Sequence, residues 1–168
     1  MIVIYIFNKN LFLNKVLLFQ KNKLYMYIYT FIMNIYVDGI FDLFHVGHVR
    51  VFKYIKERWP GCNVVAGIIS DKEAQDYKRL PIINEKNRCE MVSSNCYIDR
   101  VIFPAPLIIT STFVNNNNID LVVHGFANPE DAEKQKEFFS SIKDKFQEIP
   151  YNFGCSTTDI IKNIKENY

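Results

Sequence analysis

One uninterrupted apolar run restricts the fold of this chain more than any other feature of its sequence. Residues 63–70 read Asn-Val-Val-Ala-Gly-Ile-Ile-Ser, with no polar side chain between the two ends. A strand with one face in water alternates polar and apolar residues, whereas a strand of a parallel sheet is covered on both faces and is apolar throughout. The run therefore predicts a central strand of a parallel sheet with helices packed on both of its faces.

From Asn34 onward, strand-like and helix-like stretches alternate. The patterns predict strands at Ile35–Val37, Asn63–Ser70, Arg100–Phe103, Ile119–Val123 and Lys145–Ile149. They predict helices at Val49–Trp59, Asn84–Ser94, Thr110–Asn116, Pro129–Lys143 and Ser156–Asn167, of which the fourth is expected to be charged and mostly solvent-facing. Strands separated by helices imply right-handed crossovers, so we expect an α/β fold with a doubly wound, mostly parallel, five-stranded sheet.

Two of the three histidines of the chain, His45 and His48, follow the first predicted strand closely. Between strand and helix lies the turn at Gly39, and the helix opens with both histidines. Positions i and i+3 share a helix face, so both imidazoles can point into one small volume beyond the end of the strand. Ligands bind there in open α/β sheets, and the helix N-terminus attracts anions. The motif predicts a cradle for a reacting phosphate; the alternative is two ordinary surface histidines.

A second motif opens the last predicted helix, where residues 154–159 read Gly-Cys-Ser-Thr-Thr-Asp. Ser156 is expected to cap this helix, with Asp159 returning the bond. The hydroxyl groups of Ser156 and Thr157, together with free backbone N–H groups, would also suit an anion. This motif is weak alone and gains weight beside the histidine pair.

Composition and missing motifs exclude several classes of protein. The chain contains neither Gly-x-Gly-x-x-Gly nor Gly-x-x-x-x-Gly-Lys, which argues against dinucleotide oxidoreductases and P-loop enzymes. A net charge of +2 is too small to favour nucleic acid or an anionic membrane as partner. The four cysteines lie at no metal-ligand spacing, which indicates reduced thiols and hence a cytoplasmic protein.

Residues 1–32 require a separate interpretation. Their apolar runs are interrupted by Asn and Lys, and none approaches the ~18 apolar residues of a membrane-spanning helix. The pattern of a secretory signal is missing as well. We expect residues 1–32 to be an N-terminal extension outside the core and residues 33–168 to form the catalytic domain. The alternative is an interfacial amphipathic anchor.

Together the two motifs resemble those of the cytidylyltransferases that make CDP-choline, CDP-ethanolamine and CDP-glycerol. The resemblance covers about residues 34–164. It implies a Rossmann-like nucleotidyltransferase fold and the transfer of CMP from CTP to a small phosphoalcohol, with release of pyrophosphate. It also implies Mg²⁺ bound mainly through the CTP phosphates, with no protein ligand indicated. A homodimer that pairs through Tyr97–Asp99 is implied too, although Cys96 replaces an Arg of the family there.

The resemblance further implies roles for individual residues. His45, His48 and Lys78 would be catalytic, the histidines by stabilising the transition state and Lys78 by bridging the phosphates. Lys78 and Leu107 would contact the acceptor. The nucleotide would be bound by Ile40, Phe41, His48, Arg88, His124, Gly125, Tyr151, Asn152, Gly154, Cys155, Ser156 and Thr157.

Three positions depart from the family pattern. Tyr151 and Asn152 stand where the family has Arg-Thr, and Leu107 stands where an aromatic residue helps to hold the amine. Gly125 follows His124, as in the ethanolamine enzymes. We therefore favour phosphoethanolamine over phosphocholine or glycerol 3-phosphate. Two alternatives stay open: a related adenylyltransferase, and a catalytically degenerate nucleotide-binding protein, which the missing Arg would favour.

Overall fold

The computed structural model describes residues 2–8, 13–20, 23–30, 32–151 and 154–168, in two compact units. The first unit ends at Ile32 and contains three antiparallel strands in the order β1-β2-β3. These strands are β1 (Ile2–Asn8), β2 (Leu13–Gln20) and β3 (Lys23–Thr30). Their sequences are rich in Ile, Tyr and Leu; β-branched and aromatic residues favour strands, although the sequence analysis assigned none here. That this unit is an extension outside the catalytic domain stays a prediction.

The second unit begins at Met33 and alternates strands with helices. Its strands are β4 (Asn34–Gly39), β5 (Asn63–Ile69), β6 (Arg100–Ala105), β7 (Leu121–His124) and β8 (Phe146–Glu148). Its α-helices are α1 (Val46–Arg58), α2 (Asp71–Tyr77), α3 (Glu85–Ser93), α4 (Ser111–Asn116), α5 (Pro129–Gln135) and α6 (Thr157–Asn167). A 3₁₀ helix, Lys136–Lys145, follows α5.

The sheet of this unit has five strands in the order β6-β5-β4-β7-β8, and every neighbouring pair is parallel. The chain builds outward from β4 to β6 on one side, then returns to place β7 and β8 on the other. The order therefore reverses between β4 and β7, which is where open α/β sheets bind ligands. The predicted α/β fold is confirmed, and the sheet is wholly parallel rather than mostly so.

Apolar layers cover both faces of the sheet. Alternate residues of β5 point to opposite sides: Val64 and Ile68 pack in the layer that contains Phe52 of α1, whereas Val65 packs in the layer that contains Phe139. All of these side chains are buried. The uninterrupted apolar run of β5 is thus explained by burial on both faces.

The segment predicted as one solvent-facing helix, Pro129–Lys143, is different in the structure. Helix α5 ends at Gln135 and a 3₁₀ helix continues, with a non-helical backbone at Ile142 (φ −130°). The prediction was wrong because Phe139 and Ile142 are buried against the sheet, and the chain bends to place both there. Among the described residues, none of the helices is long and apolar enough to cross a lipid bilayer.

Helix α2 was not predicted at all. Its seven residues are mostly charged and show no apolar periodicity. The signal that could have revealed it is the cap, since Ser70 Oγ accepts a hydrogen bond from the Glu73 N–H at 3.2 Å. A Ser followed by Glu at the third position is a helix-start signature.

Candidate active site

A cavity of about 300 Å³ opens at the carboxyl ends of the central strands, where the strand order reverses. Most of the residues that the sequence analysis assigned to the site line it: Ile40, Phe41, His45, His48, Lys78, Leu107, His124, Gly125, Tyr151, Cys155, Ser156 and Thr157. Among the described residues, Arg88 and Gly154 were predicted here but do not line the cavity. Asn152 lies outside the described residues.

The two histidines form the N-terminal cap of α1. His45 is the N-cap residue, and its Nδ1 accepts a hydrogen bond from the Gly47 N–H at 3.1 Å. Three residues on, His48 Nδ1 accepts a hydrogen bond from the His45 N–H at 3.3 Å. The rings stack with their centroids 3.8 Å apart. The spacing of the motif thus serves a reciprocal cap that locks both imidazoles side by side.

These hydrogen bonds determine which ring nitrogen carries the proton. A backbone N–H can only donate, so Nδ1 of each neutral ring is the acceptor and Nε2 bears the hydrogen. His45 Nε2 lies 3.4 Å from Thr157 Oγ1, which in turn donates to the Asp42 carbonyl oxygen at 2.9 Å. Both rings therefore present an Nε2–H donor.

Both imidazoles are uncharged near neutral pH. The pKa of His48 is lowered to about 3, chiefly by burial and also by the neighbouring His45, and the Asp42 carboxylate opposes the shift only in part. Burial also lowers the pKa of His45, and the Asp159 carboxylate opposes this. The pair consequently acts in the free protein as two hydrogen-bond donors and brings no positive charge.

The loop before the histidines is held in an uncommon conformation. Phe41 (φ 53°) and Leu43 (φ 45°) both have left-handed backbones although neither is glycine. Such residues cost of order 1–3 kcal/mol each and are concentrated at functional sites. The Phe41 ring, 5% exposed, packs edge-on against His48 at 5.2 Å. This uncommon loop conformation places the Phe41 ring beside the imidazoles.

The two sequence motifs meet at Gly47. A methyl group on Gly47 would lie 2.4 Å from the carbonyl oxygen of Cys155, which is far too close. The backbone that leads into α6 therefore rests directly on the start of α1. Gly154, with φ 81°, makes the turn that brings it there. We call residues 40–48 together with residues 155–157 the histidine wall.

The predicted cap of α6 is present. Ser156 Oγ accepts from the Asp159 N–H at 3.1 Å and donates to Asp159 Oδ2 at 2.6 Å. With Thr157 bonded to the Asp42 carbonyl, both hydroxyl groups already have protein partners. What this end offers an anion is chiefly the first backbone N–H groups of α6.

Lys78 follows α2 directly, with its side chain exposed at the cavity. The next residues are fastened to the buried carboxylate of Asp42, which accepts hydrogen bonds from the Arg79 guanidinium (2.9 Å), the Ile82 N–H (3.1 Å) and the Ile83 N–H (2.9 Å). Burial raises the pKa of Asp42, but these donors outweigh it and the net pKa is lowered. Asp42 thus ties the segment after Lys78 to the histidine wall.

Arg88 has a different role from the predicted nucleotide contact. Its side chain is fully buried, and its guanidinium donates to the carbonyl oxygens of Ile40, Ile69 (2.9 Å) and Ile83 (2.9 Å) and to Asp71 Oδ1 (2.7 Å). The structure differs from the predicted direct contact, because the buried guanidinium does not line the cavity and four of its five N–H groups are bonded to protein acceptors. Arg88 is a positioning residue for the loops around the site.

His124 is the last residue of β7 and lines the cavity. A strand ending next to His124 was predicted from the sequence. Its Nδ1 lies 3.2 Å from Asp38 Oδ1, so the two side chains join the ends of β7 and β4. The ring also packs against Phe139, with centroids 5.0 Å apart. At the next position a Cβ on Gly125 would lie 3.1 Å from the Ile149 carbonyl oxygen, which leaves little room for a side chain.

One side of the cavity was not predicted from any sequence motif. It is lined by Tyr77, Asp131, Gln135 and Phe138, which we call the acidic wall. Asp131 accepts hydrogen bonds from the Ala127 N–H (3.0 Å) and from Gln135 Nε2 (2.7 Å), and the rings of Tyr77 and Phe138 meet edge-on at 5.5 Å. Burial raises the pKa of Tyr77, and the Asp131 carboxylate raises it further.

The fold is shared with a solved structure. The crystal structure of the lipopolysaccharide core biosynthesis protein from Thermoplasma volcanium GSS1 aligns with a TM-score of 0.56 and 23% identity, over 71% of this chain and 98% of that one. At this level of identity the likeness supports the fold alone, a Rossmann-like α/β arrangement.

The family is identified by sequence. Residues 36–163 match the family described as Cytidylyltransferase-like, and the chain belongs to it. The choline-phosphate cytidylyltransferase of Saccharomyces cerevisiae is 33% identical over 138 residues, which cover 81% of this chain and 32% of the yeast protein. The ethanolamine-phosphate cytidylyltransferase of Dictyostelium discoideum is 33% identical over 131 residues, which cover 77% of this chain and 36% of that protein. The chain thus spans about a third of the length of these relatives.

Proposed function

We propose that this chain transfers CMP from CTP to phosphoethanolamine and releases pyrophosphate, a step in the synthesis of phospholipid precursors. The observation that carries the proposal is the pair of stacked, uncharged imidazoles, His45 and His48, held beside the N-terminus of α6. Lys78 lines the same cavity. Donors, a helix N-terminus and an exposed cation around one volume suit the meeting of two phosphate groups.

The reaction needs positioning more than it needs a reactive side chain. An oxygen of the acceptor phosphate attacks the α-phosphorus of CTP while the bond to pyrophosphate breaks, and no covalent enzyme intermediate is required. The Nε2–H groups of His45 and His48 would donate to the oxygens on which negative charge accumulates. Lys78 would bridge the phosphates, and the first N–H groups of α6 would hold the triphosphate.

The nucleoside would lie along the ends of β4 and β7. Ile40 and Phe41 would supply backbone groups and shape, and His124, oriented by Asp38, would contact the base or ribose. Gly125 and Tyr151 would complete this side. Tyr151 is about half exposed and stands where the family has Arg, so it cannot supply the same positive charge.

The acidic wall supports an acceptor that carries an amine. The carboxylate of Asp131 keeps unused lone pairs beyond its two hydrogen bonds, and an ammonium group can donate to them. The rings of Tyr77 and Phe138 would add cation–π attraction. Phosphoethanolamine offers both a cation and N–H donors, whereas phosphocholine lacks the N–H groups and glycerol 3-phosphate lacks the cation. Leu107 would pack against the short carbon chain.

Mg²⁺ would accompany the nucleotide. Among the described residues there is no group of three or more His, Cys, Asp or Glu side chains placed to hold a metal ion. Phosphate oxygens and water are the ligands that Mg²⁺ prefers, so the ion would be bound mainly through CTP. When bound it would neutralise phosphate charge.

We also propose a cytoplasmic homodimer. The pairing surface would carry Tyr97–Asp99, whose backbone is anchored because Asp99 Oδ2 accepts hydrogen bonds from Lys56 Nζ and the Val64 N–H, both at 2.6 Å. The cysteines of the second unit, including the exposed Cys96, are free thiols, in keeping with a reducing compartment.

One experiment tests the function against its alternatives. CTP and ATP are each offered, with Mg²⁺, in combination with phosphoethanolamine, phosphocholine and glycerol 3-phosphate, and pyrophosphate release is measured. We expect the highest kcat/KM with CTP and phosphoethanolamine. Turnover with ATP alone would establish an adenylyltransferase, and CTP binding without turnover of any acceptor would establish a degenerate nucleotide-binding protein.

A further inference from the structure

The charges around the cavity do not match the substrates of the proposed function. Among the described residues that line it, the cationic side chains are Lys78 and Arg79, and they are outnumbered by the carboxylates of Asp38, Asp42 and Asp131. The histidine pair contributes no positive charge in the free protein. A nucleoside triphosphate and a phosphomonoester both bring strongly negative phosphates, so the site requires every cation it can supply.

In the free structure the cation of Arg79 is bonded to protein groups of its own surroundings. Its guanidinium lies 2.9 Å from Asp42 Oδ2 and 3.3 Å from the Leu80 carbonyl oxygen, folded back on its own loop. The two partners are buried unequally, because the Arg79 side chain is 38% exposed and that of Asp42 only 3%. An exposed guanidinium can turn on its flexible stem without uncovering the core.

Asp42 would not be left unsatisfied if Arg79 moved. The Leu43 N–H (3.0 Å) and the Ile83 N–H (2.9 Å) donate to Oδ1, and the Ile82 N–H (3.1 Å) donates to Oδ2. Breaking a buried ion pair is costly mainly when the remaining charge has no other partner. Three backbone donors remain here, so release of Arg79 costs far less than in an isolated pair.

The position of Arg79 directs it toward phosphate. It follows Lys78 in the chain and is bonded to the carboxylate of Asp42, and the main-chain carbonyl oxygen of Asp42 accepts from the Thr157 hydroxyl at the start of α6. The planar fork of a guanidinium matches phosphate oxygens in pairs, which an ammonium cannot do. We propose that Arg79 exchanges its bond to Asp42 for the β- and γ-phosphates of bound CTP, an inference that rests on the proposed function.

Calorimetric titration of CMP, CDP and CTP into the full chain with Mg²⁺ tests this. For Arg79→Ala we expect CTP to bind about tenfold more weakly, CDP to lose less, and CMP to change by less than about twofold, since one charge-assisted contact is lost only with the outer phosphates. Arg79→Lys should recover part of the CTP affinity. Arg58→Ala is the matched control because Arg58 is exposed at the opposite end of α1, over the Trp59 ring.

The inference is overturned if Arg79→Ala binds CTP within about twofold of wild type, or if all three nucleotides weaken equally, which would mean that Arg79 only holds its loop. It is equally overturned if the wild-type chain does not bind CTP. Thermal melting of Arg79→Ala is measured alongside, and a stable variant with graded losses supports the inference. If the graded losses occur while no acceptor turns over, the role of Arg79 stands and the proposed reaction fails.

Discussion

The two walls of the cavity are assembled in opposite ways. The histidine wall consists of two short contiguous segments, each a loop that becomes the first turn of a helix, and backbone N–H groups orient both of its imidazoles. The acidic wall takes side chains from α2, α5 and the 3₁₀ helix, which come together only when the sheet is complete. Each half of the histidine wall is set by local contacts, whereas the acidic wall is composite.

The contrast suggests a division of tasks, in which the histidine wall would serve the phosphate transfer and the acidic wall the choice of acceptor. Transfer between phosphates needs the same donors whatever alcohol is attached, so the wall that would do it can be encoded in two short motifs. The wall facing the alcohol can change one side chain at a time without disturbing those motifs. If this division is correct, substitutions in the histidine wall should act on kcat, and substitutions in the acidic wall should act on the KM of one substrate.

The largest effect is expected from the imidazoles. His45→Ser and His48→Gln keep residues that suit the helix cap while removing the ring donors. We expect kcat to fall by about 10²–10³ for each, the usual result of losing one preorganised donor to a transition state. Steady-state kinetics with CTP and phosphoethanolamine gives the values, and the melting temperature should stay within a few degrees. Activity within threefold of wild type in either variant would remove the central claim.

A smaller and more selective effect is expected at Asp131. Asp131→Asn keeps an oxygen acceptor for the Ala127 N–H but removes the charge that would hold an amine. We expect KM for phosphoethanolamine to rise about tenfold, in line with one charge-assisted hydrogen bond, while KM for CTP changes less than about twofold. Glu133→Gln is the control, because this substitution removes the same charge from an exposed position of α5. Equal changes for both substrates would contradict the division between the walls.

The smallest effect concerns stability against acid. The pKa of His48 is about 3 in the folded protein, whereas an unfolded histidine titrates near 6.5, so between these values the unfolded chain binds more protons. Stability from this group is therefore fully present above about pH 6.5 and is lost as the pH falls toward 3. Urea unfolding at about pH 7.5 and 5.5 should show wild type losing about 1 kcal/mol more than His48→Gln. Parallel losses in the two proteins would show that His48 is not buried as a neutral ring.

Much of the core could be predicted from local pattern. Strands β4 to β8, the start of α1 and the cap of α6 each depend on residues close together in sequence, such as the apolar run of β5 or Ser156 with Asp159. What failed depends on contacts between distant segments. The bend after α5 exists because Phe139 and Ile142 must reach the sheet, and Arg88 is buried because carbonyl groups from three separate segments of the chain surround it.

By itself, the sequence determined the parallel sheet, the edge at which a ligand would bind and the two imidazoles that face it, because burial on both strand faces and helix capping are short-range rules. Only the tertiary structure decided that Gly47 must lack a side chain beneath the Cys155 carbonyl, that Arg88 supports the site from below, and that Asp131 and Tyr77 line the same cavity. These features depend on how helices pack across the sheet. Such packing joins distant segments of the chain and cannot be predicted from the local spacing of residues.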